Sequence, residues 1–172
     1  ADFINEPEKY LHASNLLNSI FIAFSAFYAA FKINKYSNSI LIALIIQMAL
    51  FCNASILAIT ARLIPESTML IPLFLMLALT FKYVYTSSEK LNANRLIWPF
   101  SALIAFGIAC KLSFGPMILF PIILLQLNLR NISKLIARTI LLTCVFAYPL
   151  ITNLSNSFEW ISEMMIHSGK HG

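Results

Sequence analysis

Charge is the scarcest resource in this chain. Of its 172 residues 11% are charged, and Asp2 is the single aspartate. A soluble domain carries roughly a quarter charged residues, because its surface faces water. Twelve Lys and Arg with seven Asp and Glu cannot cover a water-facing particle of this size. With one aspartate, a paired-Asp catalytic site would need residues from elsewhere. Four glycines argue against a Gly-rich fibre. The three cysteines, Cys52, Cys110 and Cys144, each fall inside an apolar run, have no metal-ligand spacing, and read as small membrane-buried side chains. No Walker loop, dinucleotide fingerprint or serine-nucleophile elbow is present.

What fills the chain instead is apolar. Hydrophobic residues make up 59%, fourteen of them Phe, and the mean hydropathy is +0.80. Such a composition excludes disorder and reads as a membrane protein. The net charge of +5 does not point to nucleic acid, since the cations stand singly between apolar runs rather than in a basic stripe. The chain starts at Ala1 without a cleavable signal pattern, as expected of a processed chain or a fragment of something longer.

A helix needs about 20 apolar residues to cross the hydrocarbon. Runs at about 13–31, 39–60, 69–85, 96–110, 116–129 and 132–151 meet or approach that length. They are apolar on both faces, as in I-L-I-A-L-I-I, whereas a membrane barrel strand alternates. Lipid also requires backbone groups to be satisfied within the segment. The expectation is an all-α polytopic membrane helix bundle of about six transmembrane helices. An outer loop segment (1–12) precedes the bundle (13–152), and an outer amphipathic segment and loop (153–172) follow it. The fourth and fifth runs could also form one broken helix, or a re-entrant pair around Gly115 and Pro116.

The positive charges discriminate between these counts, because Lys and Arg bias sets orientation. With the amino end outside and six spans, Lys32, Lys35, Lys82, Lys90, Arg95, Arg130, Lys134 and Arg138 fall inside. Lys9, Arg62, Lys111 and Lys170 fall outside, giving eight against four. Merging the fourth and fifth runs collapses this bias, so six spans with both ends on the non-cytoplasmic side is preferred.

The inner cations are explained by topology; the outer ones are not. Lys111, in A-C-K-L-S-F-G-P, lies between two apolar runs, where a charge held at mid-membrane would cost about 2.5 to 3.5 kcal/mol. It is either a headgroup anchor at the outer interface or the partner of an anionic group in a cleft. Arg62 and Glu66, in A-R-L-I-P-E-S, are four residues apart and could pair, although Pro65 interrupts the helix between them. In the carboxyl segment, Glu163, His167 and His171 would align on a continuous helix as potential divalent-metal ligands. Gly169 breaks that continuity, and no cofactor is assigned. The polar S-G-K-H-G loop could instead approach a phosphate or sugar through backbone amides and cations. Asn34, Gln47, Asn53 and Ser55, with small residues such as Ala26 and Ala30, read as helix-packing positions.

Taken in order, N-E-P-E-K-Y before the first helix, A-R-L-I-P-E-S after the second, A-C-K-L-S-F-G-P-M-I-L-F-P, and the terminal H-S-G-K-H-G resemble integral-membrane glycosyltransferases of the GT-C type. The chain is similar to the protein mannosyltransferases and the aminoarabinose transferases of lipid A, and would cover the middle portion of such an enzyme. The resemblance implies a bacterial inner-membrane enzyme that moves a sugar from a polyprenyl-phosphate donor to an acceptor on the non-cytoplasmic face. It implies Lys111 and Arg62 as cations for the lipid phosphate, and Glu66 positioning Arg62 or a sugar hydroxyl. His167 and Lys170 would line the outer cleft. The family's catalytic carboxylate belongs to a loop of which only the tail is here, leaving Asp2 as the one candidate base. Two other readings stand beside it: a transporter or flippase-like protein built on the broken fourth and fifth helices, and a non-enzymatic membrane subunit.

Overall fold

The computed structural model describes residues 7–48, 62, 64–86 and 93–148. Among them every regular element is helical. The elements are α1 (Pro7–Ser37), α2 (Ile40–Met48), α3 (Pro65–Thr68), α4 (Leu70–Tyr85), α5 (Ala93–Cys110), a 3-10 segment (Leu112–Ile118), α6 (Leu119–Leu124) and α7 (Leu129–Phe146). Two stretches among the described residues are long and apolar enough to cross a membrane, Tyr10–Ser37 and Pro65–Tyr85.

Local chemistry sets the breaks. Asn38 closes α1 with φ of 53°, a left-handed conformation that Asn tolerates better than most side chains. The hydroxyl of Ser39 then accepts from the Ile42 amide and starts α2. At the far end of the chain, Gln126 takes φ of 47°, and Asn128 caps α7 by accepting from the Asn131 amide at 3.0 Å. The fifth apolar run is therefore not one helix from 116 to 129: it divides into the 3-10 segment and α6 and ends at this turn.

Helices α1 and α4 run in the same direction. Ile22 and Ala26 pack with Leu70, Ile71 and Phe74, and Ala29, Ala30 and Ile33 pack further along with Leu77, Ala78 and Phe81. Alanine at 26, 29 and 30, all nearly inaccessible, lets the two backbones approach. After the turn at Asn38, α2 packs back on α1 through Ala43.

The same logic governs the second half. Arg138 lies over the Trp98 ring at 5.3 Å, and Phe106 meets Phe146 edge-on at 5.7 Å, so α5 and α7 are parallel. Residues 112–125 come back between them. Phe114 occupies the space beside Gly107, and Phe120 meets Phe100 edge-on at 6.3 Å. The main core gathers Met76 of α4 with Leu96, Ile97, Phe100 and Ile104 of α5, Phe114, Leu125 and Leu135.

The outside of α1 is as apolar as its inside. Phe24, Phe27 and Phe31 are 65%, 58% and 56% exposed. A contiguous apolar face of that kind marks contact with lipid or another chain rather than with water.

Candidate functional site

At the end of the bundle where α4 begins, the short turn 62–68 carries most of the polar chemistry. Pro65 opens α3, at a position where its missing N–H costs no hydrogen bond. Ser67 and Thr68 then face α1 and meet Asn18, which is 4% exposed.

Asn18 ties the turn down. Its Nδ2 donates to Ser67 Oγ at 2.8 Å and reaches the Arg62 carbonyl at 3.3 Å. Its Oδ1 accepts from Thr68 Oγ1 at 3.2 Å. The Ser67 hydroxyl donates to the Arg62 carbonyl at 2.6 Å. Each buried bond of this kind contributes about 1 kcal/mol, and losing one partner strands the others at a larger cost. The clamp fixes the Arg62 carbonyl and the side chains of Ser67 and Thr68 against the first helix, and with them the place from which Glu66 projects.

Glu66 then reaches across to Lys111, at the C-terminal end of α5, and the carboxylate accepts from the ammonium in an ion pair. Both side chains are 43% exposed, so the pair is reachable by a ligand and contributes little to stability by itself. The lysine also suits its location, since a cation is favoured where helix carbonyls end.

The expected site residues therefore divide. Glu66 and Lys111, far apart in the chain, are brought together. Arg62 begins the turn that carries Glu66 and has an exposed side chain, but the partner of Glu66 is Lys111 rather than Arg62. Asp2, His167 and Lys170 lie outside the described residues, as do Glu163, His171, Cys52, Asn53 and Ser55. Ala26 and Ala30 do pack between helices, whereas Asn34 is exposed and does not.

Asn18, Ser67 and Thr68 were not singled out by the sequence. The signal was there: S-N-L-L-N-S interrupts the start of an otherwise apolar helix, and polar residues at such depth need partners. A cleft of about 490 Å³ opens beside this clamp, with Ser14, Asn18 and Thr68 supplying polar atoms and Phe21, Ile71 and Phe106 an apolar wall. A few converging polar groups in an apolar cleft of this size are what small-molecule sites usually present.

Compared with family models, curated proteins and solved structures, the chain matches none of them.

Proposed function

We propose that this chain is part of a membrane glycosyltransferase of the GT-C type. In this reading it spans the bilayer about six times, with the Glu66–Lys111 end on the non-cytoplasmic face of a bacterial inner membrane. The parallel directions of α1 with α4 and of α5 with α7 support the count, because each parallel pair needs a return crossing between its members.

The observation that carries the reading is the exposed Glu66–Lys111 pair, at the end of the bundle where the Asn18 cleft also opens. A polyprenyl-phosphate sugar is amphiphilic and anionic. Its phosphate would take Lys111 from Glu66 and gain Arg62, while the prenyl chain follows the apolar outer wall. In an inverting transfer the acceptor hydroxyl attacks the anomeric carbon, and the bond from that carbon to the phosphate oxygen breaks. The leaving polyprenyl phosphate keeps the electron pair, and nearby cations stabilise the charge that develops on it. The acceptor's proton passes to a carboxylate base, for which the family resemblance leaves Asp2. Glu66, freed from Lys111, can accept from a sugar hydroxyl.

Binding of a labelled polyprenyl-phosphate sugar to the purified full chain tests this. Lys111→Gln and Arg62→Gln should each weaken it by about tenfold or more, the worth of a charge-assisted hydrogen bond to phosphate, with helical content unchanged. Unaltered binding by both variants would remove the site.

One observation favours a second reading, a transporter or flippase-like protein. The return segment is broken into a 3-10 stretch and the short α6, and discontinuous helices form substrate sites in many transporters. Reconstituted vesicles that move a polyprenyl phosphate across the bilayer without sugar transfer would select it.

A further inference from the structure

The opposite end of the bundle holds a second cleft, of about 300 Å³, between α1, α4 and α5. Tyr28, Lys32 and Tyr36 follow one another at four-residue spacing on one face of α1, and all three line it. Lys82, in the last turn of α4, closes it from the other wall. Lys32 sits 5.2 Å from the centre of the Tyr28 ring, a cation–π contact that holds the ammonium over the cleft. The remaining wall is apolar, with Leu79 and Leu103 among its members.

A lysine that only anchors topology extends away from the protein toward headgroups and water. Lys32 and Lys82 instead come from two different helices to one cavity, and among the described residues no acidic side chain lines it to balance them. An anion that enters the cleft therefore meets cationic side chains from two of its walls. The phenol groups of Tyr28 and Tyr36 add hydrogen-bond donors suited to the same anion. The apolar wall behind them asks for a hydrocarbon continuation.

We propose that this cleft binds the phosphate headgroup of an anionic glycerophospholipid, with the start of an acyl chain lying along Leu79 and Leu103. The volume suits a headgroup and the first methylenes rather than a whole lipid. This site is separate from the Glu66–Lys111 end, and does not depend on the chain transferring sugar.

The test uses the full chain in an uncharged detergent, with dansyl-labelled phosphatidic acid and phosphatidylcholine as probes and inorganic phosphate as competitor. Phosphatidic acid should bind saturably and much more tightly than phosphatidylcholine, and millimolar phosphate should not displace it. Lys32→Gln and Lys82→Gln should each weaken binding by about fivefold, the worth of one cation near an anionic lipid surface. Lys32→Arg and Lys82→Arg, which keep the charge, should retain most of it. Ala102→Phe leaves both lysines in place but fills the cleft, and should abolish binding. Ala102→Leu, a smaller intrusion, gives a graded loss in the same direction. Equal binding of the two lipids, indifference to the Gln variants, or full binding by Ala102→Phe would each overturn the proposal. Displacement by inorganic phosphate would overturn it too, assigning the cleft to a free anion.

Discussion

The ring of Phe114 fills the space that a side chain on Gly107 would need. Any Cβ at position 107 would run into the body of the ring rather than its tip, and Phe114 itself is 4% exposed. This contact lets residues 112–125 lie flat along α5 as they return. Gly107→Ala should therefore destabilise the bundle by about 1–3 kcal/mol, the usual cost of overpacking. Thermal unfolding in detergent, followed by circular dichroism, measures it. Phe114→Leu in the same chain should recover part of the loss, whereas additive losses would show that the two positions do not share that space.

The Asn18 clamp makes a different demand. Asn18→Leu fits an apolar environment but removes the bonds that tie Ser67, Thr68 and the Arg62 carbonyl to α1, leaving the two hydroxyls only their bonds within the turn. The expected cost is about 1–3 kcal/mol, with faster proteolysis at Arg62 as the turn comes loose from α1. A tryptic digestion time course, run beside the unfolding measurement, reports both. Unchanged cleavage would mean that the turn is held by other contacts.

Glu66 and Lys111 should behave unlike the clamp, because both are well exposed. Glu66→Gln is expected to leave the melting temperature almost unchanged. In the proposed donor site it removes an anion that competes for Lys111, so binding of a polyprenyl phosphate should tighten severalfold. Weaker binding of this sugar-free ligand would mean that Glu66 positions Lys111 for the phosphate rather than competing for it.

Asn128 offers a purely local check on the second half of the fold. Its side chain caps α7 at the turn where α6 gives way to the next helix. Asn128→Ala should cost about 0.5–2 kcal/mol, and Asn128→Asp or Asn128→Ser should restore most of it.

Orientation has its own test. In a chain whose native cysteines are replaced by alanine, Ser113→Cys should react with a membrane-impermeant thiol reagent in whole cells. Ser133→Cys, at the other end of the bundle, should react only after permeabilisation. The reverse pattern would invert the proposed topology and move the Glu66–Lys111 site to the cytoplasm.

Helix type was plain in the sequence, because long runs apolar on every face allow little else. Ala26 and Ala30 were also legible as packing positions, since small residues in such a run have few other uses. The partner of Glu66 was not. Arg62 is close in sequence, whereas Lys111 is brought near only by the antiparallel packing of α4 and α5, and periodicity does not say which helices are neighbours. Asn18 escaped for the same reason: its partners lie on another helix. The fifth run read as one helix because hydropathy counts apolar residues without weighing backbone geometry. There the chain turns tightly at Lys111, lays Phe114 against Gly107, and takes a left-handed step at Gln126.

At position 62 the clamp grips a carbonyl, a group every amino acid supplies, and leaves the guanidinium out of the scaffold. In the proposed donor site, ligand preference at this spot can thus be retuned by exchanging one side chain while the architecture beneath stays as it was. Arginine here is a replaceable fitting on a permanent mount, and a natural first position to randomise when seeking altered selectivity.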